Sequence, residues 1–258
     1  MERINTPKPT GINSHGIRVW AMLLMMLGIL GKGILQNRIL GLSEATNMQM
    51  LESLLSTEAG MTAATVSLVL QALETMVVPL FSFLLVEGVR HTGDFMKYFA
   101  RIIGVAVLSE LPYNLAMCGK VLDLSSRNPV FGMVLAMILL LLYQKFSKPG
   151  FVNVLLKLLF TLSAVLWATM LKVVDGECIV ILVVVLWLFR DKPLYRNIMG
   201  CTAAFACCMV NPFYMVSPMS FLMLHFYNGE RGVENRLFNY LAYPVCLLVV
   251  GLVSVVLQ

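Results

Sequence analysis

Runs of about twenty mostly apolar residues dominate this chain, at 19–41, 62–86, 98–117, 130–146, 151–171 and 237–257. A bilayer's hydrocarbon core is about 30 Å thick and a helix rises about 1.5 Å per residue, so runs of this length span it. Lipid offers the backbone no hydrogen bonds, which leaves helices as the solution for such runs. Shorter apolar runs at 178–189, 198–210 and 213–227 are read as further spans inside the bundle. The last two meet at Asn211-Pro212, a tight turn, because proline disfavours helix in the residue before it. The expected fold is all-α: a polytopic integral membrane helical bundle of about nine transmembrane helices, within a range of roughly seven to ten. Composition agrees, since a chain that is 59% hydrophobic and 13% charged lacks the polar exterior of a soluble domain.

Charge placement sets the orientation. With the N-terminus in the cytoplasm, thirteen of the nineteen Lys and Arg residues fall on the inner side. They cluster at 3–18, 90–101, 145–148, 190–196 and 231–236, whereas Arg38, Lys120, Arg127 and Lys172 fall outside. That bias follows the positive-inside rule and predicts a multi-pass protein of the inner, cytoplasmic membrane. The whole chain, 1–258, reads as one transmembrane domain with a polar cytoplasmic tail over 1–18. An outer amphipathic loop covers 42–61, where Met50, Leu51, Leu54 and Leu55 recur at helical spacing. The net charge of +5 is no nucleic-acid signature, and the six cysteines form no CxxC pair, so neither nucleic acid nor a metal is expected. Lipid is the expected surrounding.

Polar residues inside apolar spans mark where function is expected, because each costs about 2.5–3.5 kcal/mol at a helix centre. The densest block runs from Pro79 to Asn114. Its hinge carries Glu87, Arg90, His91, Lys97 and Arg101, and antiparallel neighbours joined by a short turn bring these together. One reading is a site in which Arg90, Lys97 and Arg101 hold an anionic ligand while His91 or Glu87 moves a proton. The other is a topological anchor, with Glu87 paired to Arg90 or Arg101. Glu74 and Glu110 lie mid-span, either lining a substrate path or tying helices together, for example Glu110 with Lys32 or Lys157. Ser109, Glu110 and Asn114 gather around Pro112 as a cavity-lining segment. Tyr227-Asn228-Gly229-Glu230-Arg231-Gly232 is a turn by composition.

The block Pro79, Phe81, Phe83, Glu87-Gly88, His91-Thr92, Lys97-Tyr98, Ser109-Glu110, Pro112, Asn114 resembles the TraX family of integral membrane proteins. Tyr227-Asn228-Gly229, Arg231-Gly232 and Tyr243-Pro244 are similar to its C-terminal pattern, and Asn128 and Asp175 fit two weaker positions. The chain departs from the family in three places. Gly28-Ile29-Leu30-Gly31 stands where the family shows Asp-His-x-Gly, Thr75 where it shows Arg, and Cys246 where it shows His. The resemblance implies a character like that of multi-spanning membrane acyltransferases. It implies acyl transfer, such as acetylation, from cytosolic acyl-CoA (acetyl-CoA) to a membrane-associated acceptor such as a pilin-like peptide N-terminus, in the setting of conjugation. On that reading His91, Glu87 and Glu110 are catalytic, and Arg90, Lys97 and Arg101 contact CoA phosphates. Glu74, Ser109, Asn114, Asn228 and Arg231 line the substrate pocket. A catalytically degenerate scaffold or partner-binding subunit is the first alternative, and a small-molecule permease the second.

Overall fold

The computed structural model of the protein describes residues 11–40, 52–53, 55–232 and 236–256. Most of the tail and outer loop expected at 1–18 and 42–61, including Met50, Leu51 and Leu54, lies outside them. Among the described residues the chain is helical, and its only strand-like features are two isolated bridges, Ile12 with Tyr227 and Arg127 with Val173.

Helix α1, Ser14–Ile29, starts at Asn13, whose side chain accepts from the Gly16 amide at 2.8 Å. It continues as a π-helical segment, Leu30–Ile39. Helices α2, Glu58–Glu74, and α3, Val77–His91, form one long rod interrupted at Thr75-Met76. Pro79 explains the interruption, since its ring crowds the Thr75 carbonyl and it has no N–H to donate there. Thr75 turns its hydroxyl to the carbonyls of Ala72, 2.7 Å, and Phe213, 3.2 Å.

Helix α4, Phe95–Cys118, then runs back, followed by α5, Val130–Lys145, and α6, Phe151–Met170. Helix α7, Gly176–Leu188, is the centre of the bundle, packed by α3, α5, α6 and α8, Pro193–Ala206. It is only about 20 Å long at 1.5 Å per residue, but Ile179, Val180, Leu182, Val183 and Leu186 are fully buried. A helix that is apolar all round belongs in an interior, so α7 is short because neighbours, not lipid, surround it. Helix α6 is the opposite case. Phe151, Leu155, Leu158, Leu162 and Leu166 form an exposed stripe along it, as a lipid-facing helix requires.

The span expected at 213–227 is not a single helix. The chain makes short 3-10 turns at Pro212–Met215 and Ser217–Met219, then a six-residue helix α9, Ser220–His225. Pro212 and Pro218 remove backbone donors, and Ser217 and Ser220 bond nearby carbonyls, Ser217 to Ala204 at 3.1 Å and Ser220 to Ser217 at 2.7 Å. Asn211 does form the expected turn, its side chain accepting from the Phe213 amide at 3.1 Å. The last helix, α10, Arg236–Val256, packs along α4. Where sequence suggests about nine spans, three helices among the described residues are long and apolar enough to cross a membrane: Ser14–Asn37, the Glu58–His91 rod and Phe151–Met170. Shorter apolar helices, 130–145, 176–188 and 240–256, pack with them.

Candidate functional site

The hinge between α3 and α4 converges on Glu87, a buried carboxylate. It accepts from Arg90 Nη1 at 3.1 Å and from the Tyr227 hydroxyl at 3.5 Å, and His91 Nδ1 lies 3.5 Å away. Tyr227 also meets the Ser14 hydroxyl at 3.1 Å, so the start of α1, the hinge and the 227–231 turn share one polar knot. His91 Nδ1 lies 2.9 Å from the Glu87 backbone oxygen. A carbonyl only accepts, so Nδ1 carries a hydrogen and Nε2 is the ring atom left for a ligand. The Glu87-Gly88 pairing has a steric reason. A Cβ at position 88 would press into the Tyr98 hydroxyl, so Gly88 lets Tyr98 of α4 lie across α3.

Asp94 caps α4 by accepting from the Lys97 amide at 3.0 Å, and this hydrogen bond holds its carboxyl below the usual range. A depressed value means the cap stabilises the hinge at neutral pH and is lost as pH falls through the carboxylate's folded value. Asp94→Asn, which removes this titration, is expected to flatten the acid limb of the stability profile; an unchanged limb excludes the cap as its source.

A cavity of about 510 Å³ opens beside this hinge and runs into the bundle. Its mouth is lined by Arg18, Glu87, His91, Arg101, Tyr227 and Arg231. Its inner end is lined by Lys32, Gln71, Glu74, Asp175, Asn211 and Tyr243. Between them the wall is largely apolar, with Met22, Met25, Phe81, Leu84, Ile102 and Met133. Glu74 and Glu87 lie on one rod, thirteen residues or about 20 Å apart. The cavity is thus basic at its mouth, apolar in the middle and mixed in charge within.

The sequence-derived candidates divide on this wall. Glu74, Glu87, His91, Arg101 and Arg231 line the cavity. Arg101 makes no hydrogen bond or ion pair among the described residues, whereas Arg231 donates to the His91 carbonyl at 2.8 Å. Arg90 is engaged elsewhere, with Glu87 and with Asp191 at 3.3 Å, and Lys97 pairs with Asp94 at 3.1 Å; neither lines the cavity. Glu110 is also off the wall. It is paired with Arg127 at 2.9 Å and accepts from the Asn128 side chain at 2.7 Å, so its partner is neither Lys32 nor Lys157. Ser109 and Asn114 are buried away from the cavity without hydrogen-bond partners among the described residues. Asn228 uses its side chain to accept from the Glu230 amide at 2.9 Å, a turn contact.

Sequence reasoning left out Arg18, Lys32 and Tyr227 as cavity residues, and read Asp175 as a turn. A basic residue four positions into α1, at the end that carries the hinge, was the available signal for Arg18. No curated protein and no solved structure matches the chain. The family model described as TraX protein matches residues 15–254, nearly the whole length of the chain, and Glu87, Gly88, His91, Thr92 and Tyr98 of the motif that drew the resemblance line the cavity; the chain belongs to the TraX family.

Proposed function

We propose that the protein transfers an acyl group from an acyl-CoA thioester to a membrane-associated acceptor, a peptide amine or a hydroxyl. The mouth faces the cytoplasm of a multi-pass inner-membrane protein and takes the donor's phosphates on Arg101, Arg231 and Arg18, with His91 Nε2 beside them. Arg90 and Lys97 add positive potential at the rim without lining the cavity. The observation that carries this reading is the graded cavity, basic at the mouth and apolar within. A donor with a polyanionic head and a long, weakly polar arm matches that order of environments. Guanidinium groups suit phosphate because they offer several charge-assisted hydrogen bonds at once.

The test is equilibrium binding of acetyl-CoA to the full-length, detergent-solubilised protein, with Arg101→Ala and Arg101→Ala/Arg231→Ala. Losing one or two charge-assisted contacts weakens binding by about 10- to 100-fold. Equal affinity in all three proteins overturns the assignment of the mouth. Binding without turnover supports instead the non-catalytic scaffold, which the missing polar pair at 28–29 favours.

A further inference from the structure

The inner end of the cavity is a second polar centre. Glu74 closes α2 just before the Thr75-Met76 break, and its carboxylate makes no hydrogen bond or ion pair among the described residues. It reaches the cavity across Gly28, where any Cβ would collide with the Glu74 carboxyl. The absence of a side chain at 28 is therefore what makes room for Glu74. Lys32 and Asp175 line the same end. The Tyr214 hydroxyl, fully buried and without a hydrogen-bond partner among the described residues, lies against Asp175. Lys32 sits in the π-helical segment, a distortion of α1 of the kind found at functional sites. A carboxylate left among apolar helices without a direct partner is costly to keep, and Glu74 lines the cavity.

Length decides which carboxylate meets the reacting carbon. An extended pantetheine arm spans about 15 Å from phosphate to sulfur, at roughly 3.5 Å per three bonds. With the phosphates at the mouth, the thioester then lies most of the way along the roughly 20 Å between Glu87 and Glu74. An arm of that length carries the thioester towards Glu74 and leaves His91 at the phosphate end.

We propose, resting on the acyl-CoA reading above, that Glu74 is the catalytic proton acceptor and that acyl transfer occurs at the Gly28 notch. The acceptor's N–H or O–H adds to the thioester carbonyl as the Glu74 carboxylate takes its proton. The C–S bond breaks, a C–N or C–O bond remains, and the proton passes from Glu74 to the leaving sulfur, giving CoA thiol and regenerating the carboxylate.

Steady-state turnover of Glu74→Gln and His91→Gln tests this in the full-length protein. Glu74→Gln is expected to lower kcat by about 100-fold or more with donor KM within about threefold, because general-base contributions run about 10²–10⁴. His91→Gln is expected to raise donor KM, with kcat falling far less. The reverse pattern, or full kcat in Glu74→Gln, overturns the proposal. A second readout does not depend on the variant folding. A hydrophobic carbodiimide should label Glu74 in the wild-type protein, read by peptide mass spectrometry, and saturating CoA should suppress the labelling. Labelling that is absent, or untouched by CoA that binds, also overturns it. Acyl-CoA that does not bind overturns the acyltransferase reading and this inference together. Donor binding with no dependence of turnover on Glu74 removes this inference alone.

Discussion

Replacing Arg127 with methionine is expected to destabilise the protein by about 2–3 kcal/mol, below the ~3–5 kcal/mol for breaking a fully buried ion pair. Arg127 stands in the connection between α4 and α5 and donates to Glu110 Oε1 at 2.9 Å. Glu110 Oε2 is held by the Asn128 side chain at 2.7 Å, and Asn128 also reaches the Ala106 carbonyl at 2.9 Å. The same connection is bonded through Arg127 to the backbone of Lys172 at 2.9 Å and Val174 at 3.0 Å. A single carboxylate thus fastens α4 to the crossing that leads into α7. Without the guanidinium, Glu110 keeps only neutral donors and sits 12% exposed. The Arg127 side chain is itself 37% exposed, which moderates the cost. Glu110→Gln/Arg127→Met should recover most of the loss, since a neutral amide needs no counter-charge. Thermal unfolding in detergent reads all three proteins. An Arg127→Met midpoint equal to wild type would mean that this pair does not hold the crossing.

Glu87→Ala is expected to cost about 3 kcal/mol and to abolish donor binding, because the carboxylate organises the whole mouth. Arg196, nearly buried with its guanidinium 4.7 Å over the Phe83 ring, also feels the Glu87 charge. Removing Glu87 releases Arg90 and frees Tyr227, whose contact with Ser14 joins the start of α1 to the turn. Glu87→Gln keeps an acceptor for Tyr227 and Arg90 and should lose about 1 kcal/mol, the worth of an ordinary hydrogen bond. Equal damage from the two substitutions would show that the charge, not the hydrogen-bonded geometry, is what the mouth needs. Unfolding midpoints and acetyl-CoA affinity, measured side by side, separate these outcomes.

Much of this architecture is written in local pattern. The apolar runs set the helices, and the expected run at 151–171 matches α6, Phe151–Met170, within a residue. The hinge was legible because its charges lie within fifteen residues of one another, so a short turn was enough to assemble them. Pro79 sits just after a break in its rod, whereas α4 runs unbroken through Pro112. Prolines also hide structure. The run at 213–227 has the hydropathy of a span, yet Pro212 and Pro218 cut it into turns that pack against α8 and α7's neighbours rather than forming a rod.

The composition and spacing of the chain were sufficient for the helical class, the membrane-like surface and the polar hinge. Those properties depend on hydrophobicity and on contacts a few residues apart, which a linear chain displays. Only tertiary packing could choose the partners of the mid-span charges. Glu110 took Arg127 from a loop that folds back on α4, Lys157 settled 5.6 Å from the Tyr143 ring, and Lys32 was left in the cavity with Glu74 and Asp175. A buried charge takes whichever partner the packing brings within reach, and that distance is set by the path of the whole chain. Gly28 makes the same point on a smaller scale. In the sequence it is a lost side chain, and in the folded protein it is the notch through which Glu74 reaches the cavity.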